Sequence, residues 1–209
     1  MRHSSAPPSP PRRPLGAAPL TAGLAAAGVL LAALLCLAVL SPRPTAREPG
    51  IGGPFRLIRG DGSTVTEHDF PGKYLLVYFG YTACRDTCPA TLNTLTAAID
   101  QLGPRAKQVQ PLFITIDPLR DTPAVVERYA KGFSPRLIGL TGQPAELRRV
   151  AAEYSVSAIL HRDSPNAADY ALDHSAVIYL MAPNGTFITP IRADATPPEM
   201  SKAIADHIS

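Results

Sequence analysis

Cys84 and Cys88 stand four positions apart in the run YFGYTACRDTCP, Tyr78 to Pro89, with Arg85, Asp86 and Thr87 between them. Two thiols at this spacing can do two kinds of chemistry. A C-x-x-x-C loop can open both sulfurs onto one coordinated atom, and a pair of thiolates suits a soft ion such as Cu(I). The same pair can close into a disulfide in an oxidising compartment, or attack and resolve the disulfide of a partner. Thiol redox catalysts typically carry C-x-x-C, so the extra residue favours the metal. A peroxidase fits poorly, because Thr82 stands only two places before Cys84.

A metal site needs a third ligand. The histidines are His3, His68, His161, His174 and His207. His3 and His207 lie close to the chain ends, and His161 lies in a polar stretch with Arg162 and Asp163. His174, in Leu172-Asp173-His174-Ser175, precedes a late apolar strand whose lead-in loop should face the cysteines. Spacing alone cannot assign it, since its partners are remote in sequence. Asp117 falls at the C-terminal end of a buried strand, where ligands gather in open α/β sheets. An aspartate starting a turn before Pro118 has an equal claim on it. Arg120, Asp121 and Thr122 read as turn and cap residues.

The elements that must position these groups follow from pattern. Tyr74 to Phe79 is a continuous apolar run, as in a strand buried on both faces. Gly80 ends it, Asp86 or Thr87 can cap the next helix, and Pro89 is tolerable in that helix's first turn. The helix N-terminus favours anions, and Arg85 adds positive charge, so both thiols are expected to lean toward thiolate. Before this strand, Phe55–Ile58 and Ser63–Thr66 flank Asp61-Gly62 as a β-hairpin. After it come a helix over 90–102, a strand over 109–116, a helix from Thr122-Pro123 to about Lys131, a short strand over 136–140 and a helix over 143–154. A strand with its lead-in loop follows over 170–181, then an Asn184-Gly185 turn into Phe187-Ile188-Thr189, and a closing helix over 198–208. That order describes a thioredoxin-like α/β fold with an extra N-terminal β-hairpin, over residues 54–209.

Five of the 20 basic residues, but one of the 17 acidic ones, lie in residues 1–50, so the charge of +3 is concentrated ahead of the domain. No basic stripe with interleaved aromatics follows, which argues against nucleic acid. Residues 1–19 are rich in Pro, Ala and Arg and read as a cytoplasmic disordered tail. Leu20–Leu40 holds 21 residues without a charge. At about 1.5 Å per residue that matches a hydrocarbon core of roughly 30 Å. It reads as a retained single-span anchor with its arginines inside, and Cys36 as a packing residue within it. Residues 41–53 are a Pro/Gly/Arg-rich tether.

Gly53-Pro54-Phe55, YFGYTACRDTCPATL, TIDPLRDTP (Thr115–Pro123), GLTG (Gly139–Gly142) and DYALDHSAVIYLM (Asp169–Met181) together resemble the Sco/SenC family. These are membrane-anchored thioredoxin-like proteins that assemble cytochrome c oxidase. The resemblance implies copper, as Cu(I) or Cu(II), held by Cys84, Cys88 and His174. It implies delivery of copper to, or reduction of, the dinuclear copper centre of oxidase subunit II, with Asp117 helping at the site or in docking. Other copper chaperones or thioredoxin-like reductants would be further partners, and a bacterial inner membrane with the domain in the periplasm the location. Two positions depart from the family pattern: Arg85 stands where Pro is common, and Ala83 where an aromatic or His is. The rival function is a membrane-anchored thiol–disulfide oxidoreductase.

Overall fold

The computed structural model describes residues 50–162 and 170–208. β3 (Tyr74–Gly80) lies at the centre of a five-stranded mixed sheet ordered β5-β4-β3-β8-β9. It runs parallel to β4 (Val109–Thr115), which runs parallel to β5 (Ile138–Leu140). On its other side β8 (Val177–Met181) is antiparallel, followed by antiparallel β9 (Phe187–Arg192).

The central position explains the apolar run. Leu76 and Tyr78 pack on one face, while Leu75, Val77 and Phe79 pack on the other. Five residues with both neighbours and both faces covered have no polar side to show, so alternation disappears. The first face is covered by α1 (Thr87–Gln101), through Leu92, Leu95 and Ile99, and by α4 (Pro197–Ala205), through Met200 and Ile204. Val126 and Ala130 of α2 (Pro123–Lys131) join the same cluster. The second face is covered by α3 (Pro144–Glu153), through Leu147 and Val150, and by the N-terminal hairpin.

That hairpin pairs β1 (Arg56–Ile58) with β2 (Thr64–Thr66), and its turn places Gly62 at φ +84, where a side chain would be strained. Pro123 occupies the first turn of α2 behind Thr122, as read from the sequence. In α4 the Thr196 N–H and hydroxyl both donate to Glu199 Oε2, at 2.8 and 2.7 Å, closing a capping box.

The segment expected as one strand with a lead-in loop over 170–181 is instead two strands. β7 (Tyr170–His174) precedes β8, and it pairs away from the central sheet with β6 (Ala158–Arg162) in an antiparallel ribbon. β6 escaped the sequence reading because its apolar stretch, Ala158-Ile159-Leu160, is too short to separate from loop. His161, assigned to a polar stretch, lies in this strand opposite Ala171. The anchor read at 20–40, the tail at 1–19 and nearly all of the tether at 41–53 lie outside the described residues. Among the described residues no helix is long and apolar enough to cross a membrane.

Candidate metal centre

β3 ends at Gly80, and the chain turns through Tyr81–Asp86 into α1. The Cys84 N–H donates to the Tyr81 carbonyl at 3.2 Å, and the Cys88 N–H donates to Cys84 Sγ at 3.4 Å. Cys84 and Cys88 are not joined in a disulfide. The sulfur of Cys84 therefore sits against the first turn of the helix that carries Cys88. Asp86 is the N-cap residue by position, but its side chain makes no capping bond. Pro89 falls in the first turn, where its missing N–H removes no intrahelical bond.

The two thiols are unlike. Cys84 is half-buried at the edge of the α1-side core, while Cys88 is fully buried inside it. Burial pushes the Cys88 thiol up to about 12, helped by Cys84 beside it and against a lowering contribution from the Tyr81 backbone. The expectation that both thiols lean toward thiolate therefore fails at Cys88. Helix position is a local argument, whereas withdrawal from water depends on the whole core and here outweighs it. The Tyr78 hydroxyl donates to Cys88 Sγ at 3.7 Å, and burial raises that phenol too.

Gly80 makes room for this arrangement. A Cβ there would come within 2.8 Å of both Cys88 Sγ and the Phe113 ring. Gly80→Ala is expected to destabilise the fold by about 1–3 kcal/mol, the usual cost of overpacking. It should also push Cys88 off its position. Thermal unfolding reads the first effect, and copper titration of the folded fraction the second.

A second layer ties the cysteine loop to the sheet. Asp121, 0% exposed, accepts from the Thr82 N–H at 3.0 Å, the Thr82 hydroxyl at 2.5 Å and the Thr115 hydroxyl at 2.5 Å. Its own carbonyl accepts from the Thr141 hydroxyl at 2.9 Å. One residue thus joins the ends of β3, β4 and β5. Asp117, 3% exposed, pairs through Oδ2 with Arg120 Nε and accepts through Oδ1 from the Tyr170 hydroxyl at 2.5 Å. Burial, then this hydrogen bond, pushes the Tyr170 phenol up to about 12. Arg120 and Asp121, read from sequence as turn and cap residues, are structural hubs. No local pattern signals this, because Thr82, Thr141 and Tyr170, among their partners, are distant in the chain.

Of the residues singled out, Cys84 and Cys88 are brought together, and Asp117 lies one loop away. The backbone of His174 ends β7, opposite Ala158. Its ribbon meets the cysteine loop where the Leu172 N–H donates to the Tyr81 hydroxyl at 3.4 Å. The His174 side chain is not among those described, and among the described residues no three His, Cys, Asp or Glu side chains form a metal cluster. His68 is 88% exposed beside Glu67, and His207 is exposed.

A mixed α/β sheet with a dithiol where its central strand passes into a helix defines a thioredoxin-like thiol protein. The chain belongs to the SCO1/SenC family, whose model matches residues 43–209. Protein SCO1 homolog 1, mitochondrial, of Arabidopsis thaliana is 47% identical over 146 residues, covering 69% of this chain and 43% of that one. The SCO2-like protein of Rickettsia felis is 37% identical over 150 residues, covering 72% of this chain and 73% of that one. The structure of Bradyrhizobium japonicum ScoI with copper bound superposes with TM-score 0.69 at 39% identity, over 76% of this chain and 100% of that one. This chain spans about half the length of eukaryotic relatives, 43% of the Arabidopsis protein and 54% of the human SCO1 homolog.

Proposed function

We propose that this chain captures copper through Cys84, Cys88 and His174 and hands it to the dinuclear copper centre of cytochrome c oxidase subunit II. The observation that carries this reading is the pairing of two free thiols, one in the loop and one in the first turn of the helix that it opens, with the strand that bears His174 bonded to the same loop at Tyr81. The donor chemistry fits the cargo. Two sulfurs and an imidazole suit copper, whereas a magnesium or calcium site would need oxygen ligands that this loop does not gather. Copper-bound structures of relatives at 39% and 36% identity support the assignment.

Capture proceeds from the exposed side. Half-buried Cys84 meets the ion first, and Cys88 joins once its proton leaves. The buried setting keeps water from competing for the sulfur positions. Release requires partner thiolates to replace these ligands one at a time, driven by their tighter hold in the docked complex. Leu20–Leu40 would anchor the chain in a bacterial inner membrane and hold the domain in the periplasm near the oxidase. Other copper chaperones are the natural donors.

His174→Ala tests the ligand set. It is expected to weaken copper binding by about 10–100-fold or more, measured by chelator competition. Disulfide exchange should be mostly intact. An unchanged copper affinity would sink His174 as a ligand.

The second reading is a thiol–disulfide oxidoreductase, favoured by the asymmetry of the pair. The accessible Cys84 thiol would attack a partner disulfide, and Cys88 would resolve the mixed disulfide. His174 is dispensable for that chemistry, so the same variant separates the two.

A further inference from the structure

Tyr170 and His174 share one strand, and the first of them is gripped from outside its ribbon. The Tyr170 hydroxyl donates to Asp117 Oδ1 at 2.5 Å, and Arg120 Nη1 donates to the Tyr170 carbonyl at 3.0 Å. The Arg120 guanidinium carbon lies 3.6 Å from the Tyr170 ring centroid and 5.5 Å from that of Tyr81. Asp117 Oδ2 closes the circuit by pairing with Arg120 Nε. Two residues along β7, the Leu172 N–H reaches the Tyr81 hydroxyl. Three groups from the β4–α2 loop and the cysteine loop therefore hold positions 170 and 172 of β7.

Among the described residues β6 and β7 pair with each other and with no other strand. A two-stranded ribbon is at best marginally stable by itself, so its position depends on such contacts. The grip is well made for this. Asp117 is nearly fully buried, its charge is matched by Arg120, and a planar guanidinium stacked on an aromatic ring fixes direction as well as distance.

We propose that Asp117, Arg120 and Tyr170 form a clasp that positions His174, holding its strand against the cysteine loop so that the third ligand is in place before copper arrives. The proposal rests on the copper reading above. It assigns Asp117 a positioning role, since both of its oxygens are engaged within the clasp. Tyr170, Arg120 and Asp117 act through His174 and touch no cargo themselves.

The test compares the unaltered chain with Tyr170→Phe and Arg120→Gln in two measurements. The first is amide hydrogen exchange of the metal-free protein. In both variants, exchange at Leu172 should quicken on the order of tenfold, as expected for loss of a charge-assisted bond, with the β3 and β4 amides unchanged. Unchanged protection at Leu172 overturns the clasp, whatever the protein does with copper. The second is Cu(I) affinity by chelator competition, with and without His174→Ala. Tyr170→Phe should weaken binding about tenfold when His174 is present and leave the His174→Ala protein unaffected. Equal losses in both backgrounds, or none in either, overturn the positioning role. Failure of the unaltered chain to bind copper counts against the copper reading, and exchange at Leu172 then decides the clasp alone.

Discussion

A chain carrying Cys84→Ser and Cys88→Ser is expected to retain no copper above background after chelator challenge, where the reduced unaltered chain retains one ion. The loss should exceed the roughly 10–100-fold typical of removing an outer partner of a metal ligand. Serine hydroxyls stay protonated at neutral pH and are hard donors, so neither the charge nor the softness of the pair survives. The variant must still be folded for the result to count. A hydroxyl at position 88 enters a fully buried site at a cost of about 1–3 kcal/mol, partly offset because the Tyr78 hydroxyl can donate to it. Unfolding curves check this. Binding in the unaltered chain also carries a pH signature. The Cys88 thiol is pushed up to about 12 and must lose its proton to ligate. Apparent copper affinity should therefore rise with pH, by about tenfold per unit for each proton released. Copper retained by the double variant would place the ion elsewhere.

Asp121→Ala is expected to be the most damaging single substitution outside the thiols, at roughly 3 kcal/mol or more. Its carboxylate takes three donors, the Thr82 N–H and the hydroxyls of Thr82 and Thr115. A buried donor left without a partner, as the Thr115 hydroxyl would be, costs about 1–3 kcal/mol, and the half-buried donors of Thr82 add to it, although the hydroxyls can turn to recover part. The backbone N–H of Thr82 cannot turn. The consequence reaches function, because Thr82 lies two residues before Cys84 and its anchorage fixes the start of the cysteine loop. Asp121→Asn preserves volume and an acceptor oxygen, and should cost about 1 kcal/mol, near the net worth of one hydrogen bond. Denaturant unfolding of both variants measures the difference. Equal stability of Asp121→Ala and the unaltered chain would show that the hub contributes nothing.

What the amino-acid order made legible was local. β3 was evident from an unbroken apolar run, and the dithiol from its position where that run passes into a helix. Pro123 at the start of α2, and Asp61-Gly62 in the hairpin, announced themselves by backbone preference, although Thr122 is the N-cap by position and its side chain makes no capping bond. The second layer was hidden because its bonds span the chain. Asp121 meets Thr82 39 residues away, and Asp117 meets Tyr170 53 residues away. In sequence each is an aspartate near a proline, which is what an ordinary turn also looks like. Cys88 shows the same limit in its chemistry. Its place in the first helical turn favours thiolate, but its side chain is turned into the core, and only the packed structure shows which influence prevails.

The central claim is most directly tested by mixing the copper-loaded, reduced chain with the reduced, metal-free copper domain of oxidase subunit II and following where the copper goes. Copper moving to that domain, with assembly of the dinuclear centre and failure of the Cys84→Ser, Cys88→Ser chain to supply any, is the predicted result. Copper remaining with its first holder, while the metal-free reduced chain readily reduces a disulfide in the same domain, would contradict it and make this protein a thiol reductase.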